Sequence, residues 1–478
     1  MPFVIGAIVT AAGLTGVAAT IASVVLSLAA SVVLSAVGGL LAKKPKRGDL
    51  AELVGGRTEM ITAPIQPRRT IYGTVMVSGP IVYAQTYGKE EGIPNAYLSL
   101  VIALAGHQVE AITQVWFGDR KIAFLADGVT AGDPYSTRAK ADPGGDIILD
   151  ANGTDFAHVW KHLGATTQLA DSTLIAKSGG KWTNQHRLRG IAYVHARLRW
   201  DDRVFASGIP DVRCVVQGKK LYDTRTSTTA FSHNPALAVH DYLTNVLGIA
   251  AADIDTASVN AAANVCDEAV TLKSGGTEDR YRVNGTVDAN ERPIDVLAGL
   301  LGAMAGTLVI TGGKFTLHAG SPTAATVALT EADIIAPVTV LPRMSRRDLF
   351  NAVKPVYVDP DRDWQPVDAP LITNAAYEAQ DGGARIAQTI EFAFTSSRAR
   401  AQRLGKIQLE RARQQITAEL DVRLKGLQLA AWSTCTLTIA RFGWSAKKFR
   451  VVGWRLNEDG SVHLTLREES DAMWSWAS

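Results

Sequence analysis

The longest hydrophobic run lies at the start of the chain. Residues 3–42 contain no Asp, Glu, Lys, Arg or His. About 20 apolar residues in a helix cross the hydrocarbon core of a bilayer, so this run predicts a long apolar helix, sufficient for one tilted span or nearly two short ones. A cleaved secretory signal does not fit, because its apolar core is only about 7 to 15 residues long and follows a basic segment. Here the basic residues come afterwards, at Lys43, Lys44, Lys46 and Arg47.

Small side chains recur along this apolar segment at helical spacing. A four-residue spacing places them on one face of a helix, where they let a second helix approach closely and let hydroxyls bond to carbonyls. We therefore expect a helix-packing surface, in a segment that can also enter a membrane, formed by Gly16, Ser23, Ser27, Ser31 and Ser35. The alternative is a single-pass anchor in which the small residues are incidental.

After the basic linker the pattern changes to strands. Residues 68–88 alternate in two runs around Ser78-Gly79-Pro80, which predicts a β-hairpin. Further apolar runs up to about residue 223 predict core strands of a β-barrel or sandwich. The looser segment from about 125 to 187 predicts an insertion that contains a helix around Asp155 to His162. Together these elements predict a first β-barrel domain over residues 48–230.

The middle of the chain has helical periodicity. The first of three predicted helices begins at His233 or Asn234, with Pro235 in its first turn, and ends at Gly248. The others cover residues 258–270 and 291–306, and Gly312-Gly313 predicts the turn of a hairpin. These elements predict a helix-containing middle domain over residues 231–335.

The last part of the chain mixes both patterns. Strands are predicted at 348–358 and 387–396, a long helix from about 396 to 415, and a final hairpin that turns at 457–460. This predicts a second β-barrel domain over 336–478. The fold class is therefore α+β and mostly β, with two β-barrel-like domains flanking a middle domain and a long apolar helix over residues 1–47 in front of them.

Composition excludes several classes of protein. A chain of 478 residues with 47% hydrophobic and 20% charged residues has room for two to four packed domains and is not disordered. Because 49 basic residues nearly balance 46 acidic ones, nucleic-acid binding through bulk charge is not predicted. Cys214, Cys266 and Cys435 are widely separated, so neither a disulfide framework nor a structural zinc site is predicted.

Motifs for catalysis or metal binding are sparse. His158 and His162 have metal-ligand spacing but lack the Glu of an HExxH site, and we expect an ordinary structural pair. The acidic runs Asp201-Asp202 and Asp359 to Asp363 are interpreted as turns rather than as catalytic carboxylates. No phosphate-binding loop or GxSxG motif is present. We therefore predict no catalytic residues, no metal and no cofactor, and a protein that is not an enzyme.

The predicted helix at 396–415 is rich in basic residues: Arg398, Arg400, Arg403, Lys406, Arg411 and Arg413. Two interpretations stay open. The residues form either a solvated helix face or a surface that faces an acidic neighbouring subunit or a DNA-filled lumen.

An ordered series of segments resembles a known family. It includes Cys266-Asp267, Gly275 to Glu278, a helix containing Asp295, a glycine hairpin, and Asn351-Ala-Val before a strand ending in Asp359-Pro360. In this order the segments resemble the phage central tail hub family, and more closely the N-terminal hub portion of the lambda-type tip attachment protein J family. The resemblance covers about 210–468 and extends more loosely back to about 64.

The resemblance implies a structural virion protein at the tail tip, the distal end of the tail, assembled in the host cytoplasm. It implies a homotrimer in which two barrels per chain form a ring of six. The implied partners are the distal tail or tail tube protein, the tape measure protein and tail fibre or receptor-binding proteins, with DNA passing through the lumen without sequence-specific binding. Lambda-type hubs continue into further modules, whereas this chain stops near Trp476, so we expect separate fibre proteins to recognise the receptor.

The apolar segment is an addition to the family pattern. We expect residues 3–42 to plug the lumen or hold the tape measure protein, and then to enter the host membrane during DNA ejection. Two other classes remain open. A membrane-anchored bacterial envelope protein would explain the first 47 residues, and a tail-associated hydrolase would need a catalytic constellation that the sequence does not reveal.

Overall fold

The computed structural model describes residues 49–62, 66–90, 92–136, 155–201, 204–345 and 349–475. The predicted apolar helix, including the small residues from Gly16 to Ser35 and the basic residues Lys43, Lys44, Lys46 and Arg47, lies outside these ranges. In the part of the chain that is described, no helix combines the length and the apolar character needed to cross a bilayer.

The described part of the chain is mostly β, as expected, and helices lie between the strands. The helices are α1 (Asp49–Thr58), α2 (Ser172–Lys177), α3 (Pro235–Asp241), α4 (Thr256–Asp267), α5 (Pro293–Gly302), α6 (Ala375–Gln380) and α7 (Arg398–Arg413). The strands of the first half are β1 (Arg69–Tyr72), β2 (Thr74–Val77), β3 (Ile81–Glu90), β4 (Ile93–Ala105), β5 (Ala111–Phe117), β6 (Arg120–Lys121), β7 (Ala157–His162), β8 (Ala192–Arg199), β9 (Val212–Gln217), β10 (Lys220–Asp223), β11 (Thr228–Phe231), β12 (Ala269–Thr271) and β13 (Thr277–Asp279). Those of the second half are β14 (Gly285–Asp288), β15 (Thr307–Thr311), β16 (Lys314–His318), β17 (Val327–Thr330), β18 (Thr339–Leu341), β19 (Ala352–Asp359), β20 (Gln365–Asp368), β21 (Ile372–Thr373), β22 (Ala387–Phe392), β23 (Thr417–Val422), β24 (Thr434–Ile439), β25 (Trp444–Leu456) and β26 (Val462–Glu468).

The first β unit consists of two four-stranded sheets, ordered β2-β9-β5-β6 and β3-β4-β8-β7. Apolar residues of both sheets meet in one buried cluster, including Val115, Ile102 and Val194. Isolated bridges around residues 122–132 connect the edge strand β6 of one sheet to the edge strand β7 of the other. At the opposite edges, the chain itself connects β2 to β3. The regular strands therefore form two open sheets around a shared core, and not the closed barrel that a continuous ladder would give.

The predicted hairpin at 68–88 is wrong. β2 pairs with β9 and β3 pairs with β4, so the two strands on either side of Ser78-Gly79-Pro80 lie in different sheets. A Cβ atom on Gly79 would lie 1.9 Å from the carbonyl oxygen of Ala103. The glycine therefore allows a close approach at the bend between the two sheets instead of forming a two-residue turn.

The helix predicted around Asp155 to His162 is also wrong, because residues 157–162 form strand β7. β7 pairs antiparallel with β8, and Ala157 and Val159 are buried on its inner side. A partner strand more than 30 residues away determines this structure, so local composition could not predict it. The remainder of the predicted insertion, residues 137–154, lies outside the described ranges.

The central unit confirms the predicted helices and hairpin of the middle region. Asn234 caps α3 through hydrogen bonds from the Ala236 and Leu237 N–H groups, and β15 and β16 form the hairpin at Gly312-Gly313. The core of this unit also takes in apolar side chains of α7, which sequence analysis assigned to the last domain. The domain limits at 230 and 335 remain predictions.

A smaller sheet packs beside the central unit. Its strands are ordered β20-β19-β21, and β22 pairs in parallel with β19. Residues from α1 and β19 together cover the outer face of the first β unit, where Val54 and Val358 pack with Met76 and Val215. This sheet therefore contacts both the central unit and the first β unit.

The second β unit is a six-stranded sheet ordered β17-β24-β25-β26-β23-β18. Its two edge strands, β17 and β18, are consecutive parts of the chain joined by a short helical turn at Glu331–Asp333. The sheet curls around one apolar core to which its strands contribute. As in the first unit, the described ladders stay open at the edges, while the predicted hairpin at 457–460 is confirmed by the pairing of β25 with β26.

Strand β1 belongs to two cores at once. It pairs with β14 of the central unit. Ile71 is buried in the core of the first β unit, whereas Tyr72 is buried in the core of the central unit, where its hydroxyl donates to Asp241 Oδ2 at 2.8 Å. Because successive side chains of a strand point to opposite faces, β1 joins the two units without a linker.

His107, in the connection between β4 and β5, fixes β1 to the first β unit. Its Nε2 accepts the Ile71 N–H at 2.9 Å, and its Nδ1 lies 2.7 Å from the carbonyl oxygen of Gln108. These partners require a neutral ring with the proton on Nδ1, because a protonated Nε2 would face another donor. Burial lowers the pKa of His107 from 6.5 to about 4.

Acidification from about pH 7.5 to about pH 5 is expected to lower the free energy of unfolding by about 2 kcal/mol through His107 alone. The unfolded chain binds a proton on this ring below its ordinary pKa of 6.5, whereas the folded chain binds it only near pH 4. The contribution of neutral His107 to the free energy of unfolding is therefore complete above pH 6.5 and is lost as the pH falls toward 4. Urea unfolding at the two pH values measures the change.

The matched variant is His107→Gln, which retains an acceptor for the Ile71 N–H but does not titrate. Burial also lowers the pKa of other histidines, namely His195, His233, His240 and His318. Because both proteins contain them, the difference between the two pH dependences isolates His107. Equal losses of stability in the two proteins would show that His107 does not contribute.

Candidate functional site

The histidines with metal-ligand spacing have separate structural partners. His162 Nε2 lies 2.9 Å from Asp171 Oδ2, whereas His158 lies near the guanidinium of Arg197. Within the described ranges, no three His, Cys, Asp or Glu side chains are grouped to hold a metal ion. Cys214, Cys266 and Cys435 are buried and free. Both histidines lie on strand β7 and contact protein side chains.

The structure brings together a serine, two histidines and an aspartate that sequence analysis did not connect. Asp171 Oδ2 accepts from His162 Nε2 at 2.9 Å and lies 3.1 Å from His195 Nδ1. His195 Nε2 is 3.1 Å from Ser99 Oγ. Ser99, His195 and Asp171 thus have the connectivity of a hydrolase triad.

Burial makes this triad-like network structural. His195 is 0% exposed and Ser99 is 2% exposed, so no substrate can reach the hydroxyl. Asp171 also caps α2 by accepting the Leu174 N–H. Burial alone would raise the pKa of Asp171, but the hydrogen bonds from His162 and His195 outweigh this effect and hold its pKa well below the usual range. The network fastens α2 to the sheet of β4 and β8.

The basic residues of α7 are used mainly inside the chain. Arg400 Nη2 and Arg403 Nη2 lie 3.1 Å and 3.2 Å from the two carboxylate oxygens of Glu278, and Arg413 pairs with Asp381 at 2.8 Å. All three arginines are buried. These three arginines point toward the interior of the chain. They therefore form neither a solvated helix face nor a surface that faces a partner or a lumen. Arg398 is exposed, and Lys406 donates to the Ser475 carbonyl.

The acidic turn at 359–363 is confirmed as a turn. Asp359 accepts the Asp361 N–H at 3.0 Å and the Tyr357 hydroxyl at 2.9 Å, and Asp363 has a left-handed φ of 54°. In the other acidic pair, the carbonyl of Asp201 accepts the Phe205 N–H. Asp202 lies outside the described ranges.

An exposed apolar surface on the second β unit is the strongest candidate for an interface. The Trp454 indole N–H donates to the Gly426 carbonyl at 3.1 Å, which places β25 beside the helical turn at Leu424–Gln428. Four large apolar side chains around this contact are exposed: Leu424 by 63%, Leu427 by 49%, Trp454 by 37% and Leu456 by 52%. We define these four as the apolar surface. Contiguous exposed apolar groups of this kind mark sites of protein association.

Comparison with known proteins then identifies the kind of protein. A family model described as putative phage tail protein matches residues 292–454, from the start of α5 into β25 and about a third of the chain. The baseplate hub protein pb3 of Escherichia phage T5 is 22% identical over 431 residues, which cover 81% of this chain and 44% of that protein. The chain is similar to phage tail and baseplate hub proteins. It spans less than half of the length of the phage T5 relative.

The fold has a counterpart in a virus-like particle. A chain from the virion of a native gene transfer agent particle superimposes with a TM-score of 0.59 and 16% identity, covering 95% of this chain and 98% of that chain. At this identity the likeness concerns the fold alone. The similar proteins are described as a putative phage tail protein and a baseplate hub protein, which agrees with the expectation of a structural protein that is not an enzyme. The expected phage tail or hub character is confirmed in this broad form.

Proposed function

We propose that the chain is the central hub of a phage-type tail tip, where it closes the distal end of the tail tube. The observation that carries this proposal is the similarity to a baseplate hub protein over 81% of the chain. The specific lambda-type relationship and the position at the tail tip belong to this proposal.

The proposed assembly is a homotrimer. Each chain contributes two β units, so three chains would supply six units for a ring that matches a sixfold tail tube. The apolar surface at Leu424, Leu427, Trp454 and Leu456 provides a contact for a neighbouring copy. The proposed partners are the tail tube or distal tail protein, the tape measure protein and tail fibre proteins, with DNA passing through the lumen.

The trimer is tested with the full chain in a mild detergent, which keeps residues 3–42 in solution. Light scattering is expected to give the mass of three 51.0 kDa chains, and electron-microscope class averages down the axis are expected to show six similar lobes. The matched variants are Leu427→Ser in the apolar surface, expected to weaken trimerisation, and Leu169→Ser, which is 73% exposed in the first β unit and is expected to leave it unchanged. A monodisperse monomer without a ring would contradict the proposal.

The apolar segment is assigned a second role within the same proposal. Three copies of residues 3–42 would pack through Gly16, Ser23, Ser27, Ser31 and Ser35 to plug the lumen, and the host membrane would receive them during DNA ejection, with Lys43, Lys44, Lys46 and Arg47 at their ends. The supporting observation is a charge-free run of membrane-spanning length. Virions that lack residues 3–42, assemble normally and eject DNA at the usual rate would refute this role.

A further inference from the structure

A cavity of about 330 Å³ separates the central unit from the second β unit. Ala262 and Val265 of α4 and His318 of β16 line one side, and residues 430–434, which lead into β24, line the other. Arg411 of α7 and Trp474 complete the wall. This volume is at the lower end of the range for small-molecule sites.

Arg411 is partly buried and differs from the three buried arginines of α7. Arg400 and Arg403 share Glu278, and Arg413 pairs with Asp381. In the described ranges Arg411 has no carboxylate within ion-pair distance, and its one hydrogen bond goes from Nη2 to the Ala305 carbonyl at 3.0 Å. Burial lowers the pKa of Arg411 to about 10, so the group is still charged at neutral pH. A partly buried guanidinium that lacks an anion is less stable than one that is paired.

The charges around Arg411 are also unbalanced. Arg450 pairs with Glu469 at 2.7 Å and Lys447 pairs with Glu468 at 2.5 Å. Arg467, which donates to the Arg411 carbonyl at 2.9 Å, adds a further cation that has no ion pair with the described residues. The two carboxylates are thus already matched by Arg450 and Lys447, which leaves an excess of two positive charges beside the cavity.

The cavity wall contains further hydrogen-bonding capacity that the described residues do not use. Thr311 Oγ1, His318 Nε2 and Trp474 Nε1 are buried and have no partner there. The indole N–H can only donate, and the hydroxyl and the imidazole can donate in a suitable rotamer or tautomer. Several donors and an excess of positive charge surround apolar side chains such as Val265 and Ala262, which suit a small oxyanion with a short aliphatic part.

We propose that this cavity is a binding site for a small oxyanion, a carboxylate or a phosphate, held by Arg411 together with Trp474 and Thr311. Two oxygens of such a group match the planar guanidinium. The ligand contacts residues of both the central unit and the second β unit, so its binding holds the two units together. The site does not depend on the hub assembly and is complete within one chain.

Titration calorimetry on the full chain tests the site with inorganic phosphate and, separately, with glutarate, at matched ionic strength against chloride. Saturable binding with a dissociation constant below about 10 mM is expected for at least one of the two anions. The anion that binds more tightly, phosphate or glutarate, identifies the class of oxyanion. Arg411→Gln is expected to weaken binding at least about tenfold, because a hydrogen-bonded charge is lost.

Trp474→Phe provides a second variant in case Arg411→Gln does not fold. It retains an aromatic ring and removes only the N–H donor, and we expect it to weaken binding about fivefold. Arg292→Gln serves as the control, because Arg292 is exposed on α5 and lies outside the cavity; its binding should match that of the unchanged chain. Absence of saturable binding for both anions, or equal affinities for the unchanged chain and the folded cavity variants, would overturn the proposal.

Discussion

Glu278→Gln is expected to lower the free energy of unfolding by about 3 to 5 kcal/mol. The carboxylate of Glu278 faces two guanidinium groups, Arg400 at 3.1 Å and Arg403 at 3.2 Å, whose side chains are 6% and 4% exposed. Glutamine keeps the shape of the side chain but removes the charge that compensates both cations. Arg400 and Arg403 would then both lose this carboxylate at the buried contact between β13 and α7. Urea unfolding of the full chain measures the loss.

The matched control for Glu278 is an exposed ion pair in the same unit. Arg292 and Asp295 are 2.7 Å apart, but their side chains are 78% and 55% exposed. Arg292→Gln is therefore expected to change the free energy of unfolding by less than about 1 kcal/mol. Similar small effects for the two variants would mean that the ion pairs of Glu278 with Arg400 and Arg403 do not stabilise the packing of α7 on β13.

Asp171→Ala is expected to destabilise the first β unit by about 3 to 5 kcal/mol. The substitution removes the acceptor of His162 and of the fully buried His195, and it also removes the cap of α2. Asp171→Asn restores an acceptor for the Leu174 N–H but not the negative charge, so an intermediate loss is expected. Chemical unfolding followed by tryptophan fluorescence measures both.

Asp255→Ala is the control for the capping contribution. Asp255 caps α4 by accepting the Ala257 N–H at 3.1 Å in an exposed position, so its removal should cost about 1 kcal/mol. If Asp171→Ala cost no more than Asp255→Ala, the bonds to His162 and His195 would contribute nothing to stability, and the network would have to be explained by something other than anchoring α2.

The elements that local signals specify could be predicted from the sequence. Asn234 and Pro235 predicted the start of α3 because a capping side chain and a proline act within the first turn. Gly312 and Gly313 predicted a hairpin because the turn requires positive φ angles, which both glycines adopt. The long basic helix predicted from about 396 to 415 is α7 (Arg398–Arg413).

Other features depended on contacts between distant parts of the chain. Glu278 meets α7 across more than 120 residues, so nothing in the basic pattern of the helix could show that its arginines point inward. Ser99 and His195 are 96 residues apart. The bend at Gly79 likewise depends on the carbonyl of Ala103 in the neighbouring strand. No signal in the sequence connects these partners, and the exposed apolar surface was missed because its residues come from two separate segments.

The placement of β1 has a mechanical consequence. Ile71 and Tyr72 are both 0% exposed, yet each is anchored in a different core. Tilting one unit against the other would have to withdraw one of these side chains, at a cost of about 2 kcal/mol or more, and would strain the Ile71 hydrogen bond to His107 as well. The first β unit and the central unit are therefore expected to move together as one rigid body, so that a force applied to either unit is transmitted to the other.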